Sequence, residues 1–183
     1  MDYYAKTLFI PQVDENDAVT GKVERWEAHR KGILHRGFTV GILYDGAMIC
    51  QHRKHPVFDG FLDLTASSHP LVHADMAEDT ETAVLNCLKR EWDMKPSDLT
   101  AGLVLAGKVV YYSKHSDYIE HEVCHLYTGT ARRMPAFNPD FAYGYSLVPV
   151  EQLNDPERNP VLRGLAPWVK EMVSKDLLRT LLG

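Results

Sequence analysis

Glu120 and Glu122 stand one residue apart in the stretch Ile119-Glu120-His121-Glu122-Val123-Cys124-His125. In an extended strand alternate side chains share a face, which sets the two carboxylates roughly 7 Å apart at about 3.4 Å per residue. On a solvated strand such a pair needs no compensation. Once buried, it needs a cation or a shared proton, and those are the conditions of a metal site or an acid/base site. The chain also carries nine histidines, an unusually large number for 183 residues, and imidazole is a common ligand of transition metals.

The chain length suits one well-cored domain covering 1-183, and it is short for two. A formal net charge of -5 gives no broad basic field, so no nucleic acid and no anionic membrane surface is expected as a partner. Any bound anion must then be held by a local cluster of cations. Cys50, Cys87 and Cys124 are widely spaced and form no CxxC pair, which points to a reducing compartment. The N-terminus lacks a basic segment followed by an apolar one, and no apolar run is long enough to span a bilayer. These features predict a cytoplasmic enzyme or binding protein, as a monomer or homodimer.

Several elements have to position the candidate groups. Leu8 to Val13 reads as a strand, ended by the polar turn Asp14-Glu15-Asn16-Asp17 at the edge of a sheet. Glu24 to Lys31 predicts a short helix closed by Gly32, which puts His29 at its end. His35 follows at the mouth of the strand Phe38 to Leu43. Asp45-Gly46 predicts a tight hairpin into Met48 to Gln51. The cluster Gln51-His52-Arg53-Lys54-His55 reads either as a charged loop or as an anion clamp. His69 precedes Pro70, which holds it in an extended, geometrically fixed loop. A helix from Asp79 or Thr80 to about Met94 carries Glu91 beside its buried stripe, and Pro96 stops it. Leu103 to Tyr112 predicts strand, Ser113 to Tyr118 a loop, and Tyr143 to Pro149 another strand. Glu151 to Asn154 reads as a helical turn and Pro167 to Leu182 as a helix with an apolar stripe. The order predicts an α/β (α+β) chain with a mixed sheet packed between helices.

Five motifs then coincide in sequence order: Val13-Asp14-Glu15-Asn16-Asp17, Glu27 through Arg36, Ser67-Ser68-His69-Pro70, Glu120 through Cys124, and Pro167-Trp168. Together they resemble the type 1 isopentenyl-diphosphate isomerases, members of the Nudix fold superfamily, from about Leu8 to Trp168. The resemblance implies an octahedral metal on His29, His35, His69, Glu120 and Glu122, with zinc, manganese or magnesium suited to such mixed ligands. It also implies that Glu91 holds a magnesium ion on the substrate diphosphate, that Arg25 and Arg53 bind that diphosphate, and that the π face of Trp168 stabilises a carbocation.

The sequence departs from the family at specific positions. Ser67 stands where the family has its catalytic cysteine, and an unassisted serine hydroxyl cannot be poised near neutrality as a thiol can. Leu62 and Leu64 occupy positions that line the family's pocket, which predicts a larger or more apolar cavity. Cys87 replaces a diphosphate-binding arginine. Aligned on Glu91, the Nudix hydrolase motif retains only Glu78 and Glu91, since Val72, Asn86-Cys87 and Arg90 fall on its other positions. Diphosphohydrolysis needs that full carboxylate cluster to hold several cations, so a hydrolase is the least favoured reading. The sequence therefore predicts a metal-dependent isomerase protonating the alkene of a prenyl diphosphate, with Glu122, Ser67 and Trp168 as catalytic residues. Alternatives are an enzyme rearranging or cyclising a longer prenyl diphosphate, and a non-catalytic binder of such a molecule.

Overall fold

A computed structural model describes residues 3–153 and 159–178. Its centre is the strand β3 (His35–Tyr44), which starts three residues earlier than the apolar run suggests. The extension exists because β3 pairs along most of its length with β9 (Tyr118–Thr130), in parallel, from His35 opposite Glu122 to Leu43 opposite Thr130. β3 also pairs antiparallel with β1 (Phe9–Val13), β4 (Ala47–Arg53) and β5 (Ala66–Ser68). One strand thus touches four others, and each can deliver a side chain to its surroundings. β2 (Val19–Glu24) extends the sheet beyond β1, and β10 (Ala142–Pro149) extends it beyond β4. β6 (Val72–His73) and β7 (Met76–Ala77) form a separate small hairpin.

The sheet is mixed and covered on both faces. On one face Phe38, Val40, Ile42 and Ile49 pack against Val84, Leu88 and Trp92 of α2 (Thr80–Trp92). On the other, Met48, Cys124 and Leu126 pack against Trp168, Val169 and Met172 of α4 (Pro167–Ser174). This is the expected architecture. α2 ends two residues short of the anticipated Met94, because Asp93 adopts the left-handed conformation (φ 46°) and breaks the helical ladder there. The chain from 113 to 118 is not a loop. β8 (Val104–His115) pairs with β9 to the end, with Ser113 opposite Glu120 and His115 opposite Tyr118, and only a tight turn joins the two strands.

α1 (Arg25–Lys31) forms as expected. Glu24 caps it by accepting from the backbone N–H of Trp26 and Glu27, and Gly32 closes it at φ 65°. After β10 the short α3 (Val150–Leu153) begins one residue before the expected turn, and Asn154 lies outside the described residues. α4 ends at Ser174, short of the expected Leu182, where the chain turns through Asp176 at φ 56°, and Leu181 and Leu182 lie outside the described residues. The three cysteines are free and buried. Among the described residues no helix is long and apolar enough to cross a membrane.

Candidate active site

The β3–β9 pairing decides the fate of the glutamate pair. Glu120 and Glu122 point to the same face and are only 4% and 6% exposed, so the solvated reading fails and compensation is required. It comes from three histidines on three different elements. His29 arrives from the last turn of α1, with Nε2 3.3 Å from Glu120 Oε1. His35 opens β3, with Nε2 3.4 Å from Glu122 Oε1. His69, just after β5, lies 2.9 Å from that same oxygen. The ring centroids of the three imidazoles are 4.9, 5.1 and 5.2 Å apart.

This donor set fits a divalent cation. One ligand atom from each of the five residues lies within 4.8 Å of the others. Ligands at about 2.1 Å from a common ion are at most about 4.2 Å apart, so each would need to move inward by only about 0.3 Å. The imidazoles are already turned for the task. His29 Nδ1 donates to the Arg25 carbonyl (2.6 Å) and His35 Nδ1 to the Ile33 carbonyl (2.7 Å), leaving each Nε2 facing the cluster. His35 Nε2 is buried with no hydrogen-bond partner among the described residues, a costly arrangement for a group that nothing else engages.

The two carboxylates differ electrostatically. Burial pushes Glu120 above its ordinary range, with His29 opposing the shift and Glu122 adding to it. Burial also acts on Glu122, but His35 and His69 outweigh it and hold that carboxyl well below the usual range. Burial disfavours the charged form of His29, yet neighbouring Glu120 lifts it to about 9. In contrast, burial takes His69 down to about 3. Without a cation, the cluster therefore keeps its proton on the Glu120–His29 side and leaves Glu122 ionised. Tyr111 donates its hydroxyl to Glu122 Oε2 at 2.7 Å.

His29, His69, Glu120, Glu122 and Tyr111 line one cavity together with Arg25, Arg53, Glu91, Ser67 and Trp168, and His35, fully buried, stands behind its wall. Its free volume is about 40 Å³, and Tyr3 and Tyr4 separate it from an outer groove of about 920 Å³ that Lys6, Lys54 and Arg90 also line. Of the basic cluster, Arg53 and His55 reach the inner cavity, whereas Lys54 turns outward to the Pro139 carbonyl. The Nε atoms of Arg25, Arg53 and Arg90 are buried with no hydrogen-bond partner among the described residues. Glu91 stands outside the five-ligand group and accepts from Gln51 Nε2 (3.2 Å) and Arg90 Nη2 (2.9 Å).

The chain is 32% identical to an isopentenyl-diphosphate Delta-isomerase of Pectobacterium atrosepticum over 144 residues, which are 77% of this chain and 76% of that one. The chain belongs to the isopentenyl-diphosphate Delta-isomerase family. A second member, from Serratia proteamaculans, is 28% identical over 81% of this chain and 80% of its own. No family model matches. Among solved structures, DR0079 from Deinococcus radiodurans superposes with a TM-score of 0.67 at 18% identity, covering 91% of this chain and 98% of that one. The NUDIX domain of Shewanella oneidensis NrtR, solved with ADP ribose, gives 0.54 at 16% identity over 82% and 88%. Both likenesses speak to the fold alone, which is the Nudix fold.

One expectation drawn from the family resemblance needs correcting. Leu62 and Leu64 do not line the cavity: they are 2% and 0% exposed and belong to the core beneath it, where Leu64 packs by Gly41 and Met48. The cavity is accordingly not widened at those positions. Trp168 does line the cavity, but its ring already carries the Arg53 guanidinium at 5.1 Å and its Nε1 donates to Asp63 at 2.8 Å. Sequence reasoning missed Tyr111 and Asp63. The register places Tyr111 directly opposite Glu122, which a correct reading of the 113–118 turn would have exposed. Asp63 had one signal, an acid set between Leu62 and Leu64 in an apolar run.

Proposed function

We propose that this protein isomerises a prenyl diphosphate by adding a proton to one carbon of its alkene and removing a proton from another. The observation that carries the reading is the convergence, on one cavity, of a buried five-ligand cluster, the Tyr111–Glu122 pair and two arginines with unsatisfied Nε donors. The substrate class comes from the printed name of the relatives, isopentenyl-diphosphate Delta-isomerase.

His29, His35, His69, Glu120 and Glu122 would hold the cation, which when bound supplies positive charge that organises the carboxylates and lowers the cost of charge in the site. Glu122 delivers the proton, which it must first draw from the Glu120–His29 side of the cluster, and Tyr111 positions its carboxyl through the hydrogen bond the two share at the cavity wall. Arg25 and Arg53 bind the diphosphate, and Glu91 contributes a carboxylate to a magnesium ion carried with it. The Trp168 ring faces the positive charge that develops on carbon. With Leu62 and Leu64 withdrawn into the core, the reading favours a five-carbon chain.

The test is incubation of the metal-loaded protein with five-, ten- and fifteen-carbon diphosphates, with products identified by mass spectrometry. Interconversion of the five-carbon isomers is expected. Products from the longer chains alone would shift the assignment to rearrangement or cyclisation, and saturable binding without product would make the protein a binder. Release of phosphate would make it a hydrolase.

A further inference from the structure

Asp63 is the one charged group at the site that the chemistry above leaves unused. It lies between β4 and β5, is 0% exposed, and is absent from the cavity wall. Its Oδ2 accepts from Arg53 Nη1 at 2.6 Å. Its Oδ1 accepts from Ser67 Oγ (3.0 Å), Trp168 Nε1 (2.8 Å) and the Leu64 backbone N–H (2.9 Å). As a counter-ion for Arg53 it needs only Oδ2. The other oxygen sits one hydroxyl away from the cavity.

The polarity of the surrounding hydrogen bonds follows from the carboxylate. An ionised Asp63 accepts only, so Ser67 must donate to it. Ser67 Oγ also lies 2.9 Å from Thr39 Oγ1, and with the serine proton committed, Thr39 is the donor there. Thr39 in turn lies 3.5 Å from Cys124 Sγ, which donates to it. The chain Cys124, Thr39, Ser67, Asp63 therefore runs one way and ends on a buried anion, and such chains polarise cumulatively. Ser67 lines the cavity, with an oxygen lone pair left over beyond these two bonds.

We propose that Asp63 is the positioning residue and proton sink that lets Ser67, at the family's catalytic-cysteine position, take the departing proton; this rests on the isomerase reading. The C–H bond next to the cationic carbon breaks, and its electron pair becomes the new C=C bond. Its proton goes to Ser67 Oγ as the serine's own proton passes to Asp63 Oδ1. Serine is unchanged, Asp63 ends neutral, and Glu122 ends ionised after protonating the alkene. Exchange with solvent then returns one proton from Asp63 and supplies one to Glu122, so the cycle closes without an oxidant or co-reactant. Burial, opposed mainly by Arg53, raises the Asp63 carboxyl above its ordinary range, which suits a proton acceptor.

The experiment compares wild type, Ser67→Ala, Ser67→Cys, Asp63→Asn and the double variant Ser67→Cys/Asp63→Asn. Each is metal-loaded, checked for folding by circular dichroism, and assayed with isopentenyl diphosphate in deuterated water. Ser67→Ala should lower kcat at least about 100-fold, leave KM within about threefold, and still place deuterium on carbon in recovered substrate. Asp63→Asn should lower kcat comparably when Ser67 is present. In the Ser67→Cys background, where a thiolate takes the proton itself, Asp63→Asn should change kcat less than about fivefold. Equal losses in both backgrounds would reduce Asp63 to a structural counter-ion of Arg53. Retention of kcat within about threefold by Ser67→Ala overturns the relay alone, and that variant decides the matter if Asp63→Asn does not fold, because it leaves the Arg53–Asp63 pair intact. Absence of turnover by wild type sinks the isomerase reading and the relay with it.

Discussion

The carboxyl group of Glu122 lies directly over Gly37: a Cβ at position 37 would come within 2.6 Å of its carbon and of both its oxygens. Gly37 faces β9 across the parallel pair, two residues along from His35, so the missing side chain makes the space in which Glu122 meets His35 and His69. Gly37→Ala should therefore push the carboxylate out of the cluster while the strand itself persists. The expected cost is about 1–3 kcal/mol of stability, with turnover reduced about 100-fold and less metal retained. A variant with wild-type turnover and metal content would mean that Glu122 works from another position.

Metal removal gives a second prediction. Five polar groups brought together under burial repel or go unsatisfied without a cation, and His35 Nε2 is the clearest instance. Prolonged chelation should lower the melting temperature by about 5–10 °C, since a ligand at about 100 times its Kd contributes about 2.7 kcal/mol. Added divalent cation should restore it. His69→Ala should lose most of the bound metal in elemental analysis while remaining folded. Identical melting curves with and without chelator would remove the metal from the account.

Away from the site, Asp17 supplies a pH dependence. It accepts from Arg36 Nε at 2.7 Å, lies 2.6 Å from His125 Nε2, and is 10% exposed. Burial raises its carboxyl, but the bonds from Arg36 and His125 prevail and hold it below the ordinary value. A group depressed in the folded state contributes stability above its unfolded pKa of about 3.9, and that contribution disappears as pH falls through the folded value. Asp17→Asn is backbone-compatible, because asparagine tolerates the φ of 70° found here. The urea midpoint of the variant should lie below wild type at pH 7, and the gap should close as the pH drops below about 4. A gap that stays constant down to about pH 3 would rule out the ion pair as its source.

The ligand set was legible through the family resemblance; local signals placed its members at a helix end for His29, a strand mouth for His35, a proline-fixed loop for His69 and a period of two for the glutamates, without marking them as ligands. Their convergence depends on β3 and β9 running in parallel, a pairing of residues about 87 positions apart that no local pattern records. The same limit hid Tyr111 and Asp63, whose roles arise from cross-strand register and from burial. Leu62 and Leu64 illustrate the opposite error, since alignment placed them near the cavity while the bridges from Leu62 to His52 and Leu165 draw the segment into the core.

The last prediction isolates proton delivery from binding. Glu122 Oε1 is engaged by His69 and Oε2 by Tyr111, so the Glu122→Gln side chain can keep the volume and most contacts while losing the ability to cycle a proton. The diphosphate contacts proposed for Arg25, Arg53 and Glu91 lie elsewhere on the cavity wall and should be undisturbed. In deuterated water the wild-type protein should place deuterium on carbon in product or recovered substrate. With saturating metal to offset the weaker amide ligand, Glu122→Gln should lower that incorporation at least about 100-fold and leave diphosphate affinity within about threefold. Wild-type turnover without carbon-bound deuterium would exclude proton-initiated chemistry. Incorporation undiminished in the variant would move the donor to another group, with Tyr111, already hydrogen-bonded to the carboxylate, the residue to substitute next.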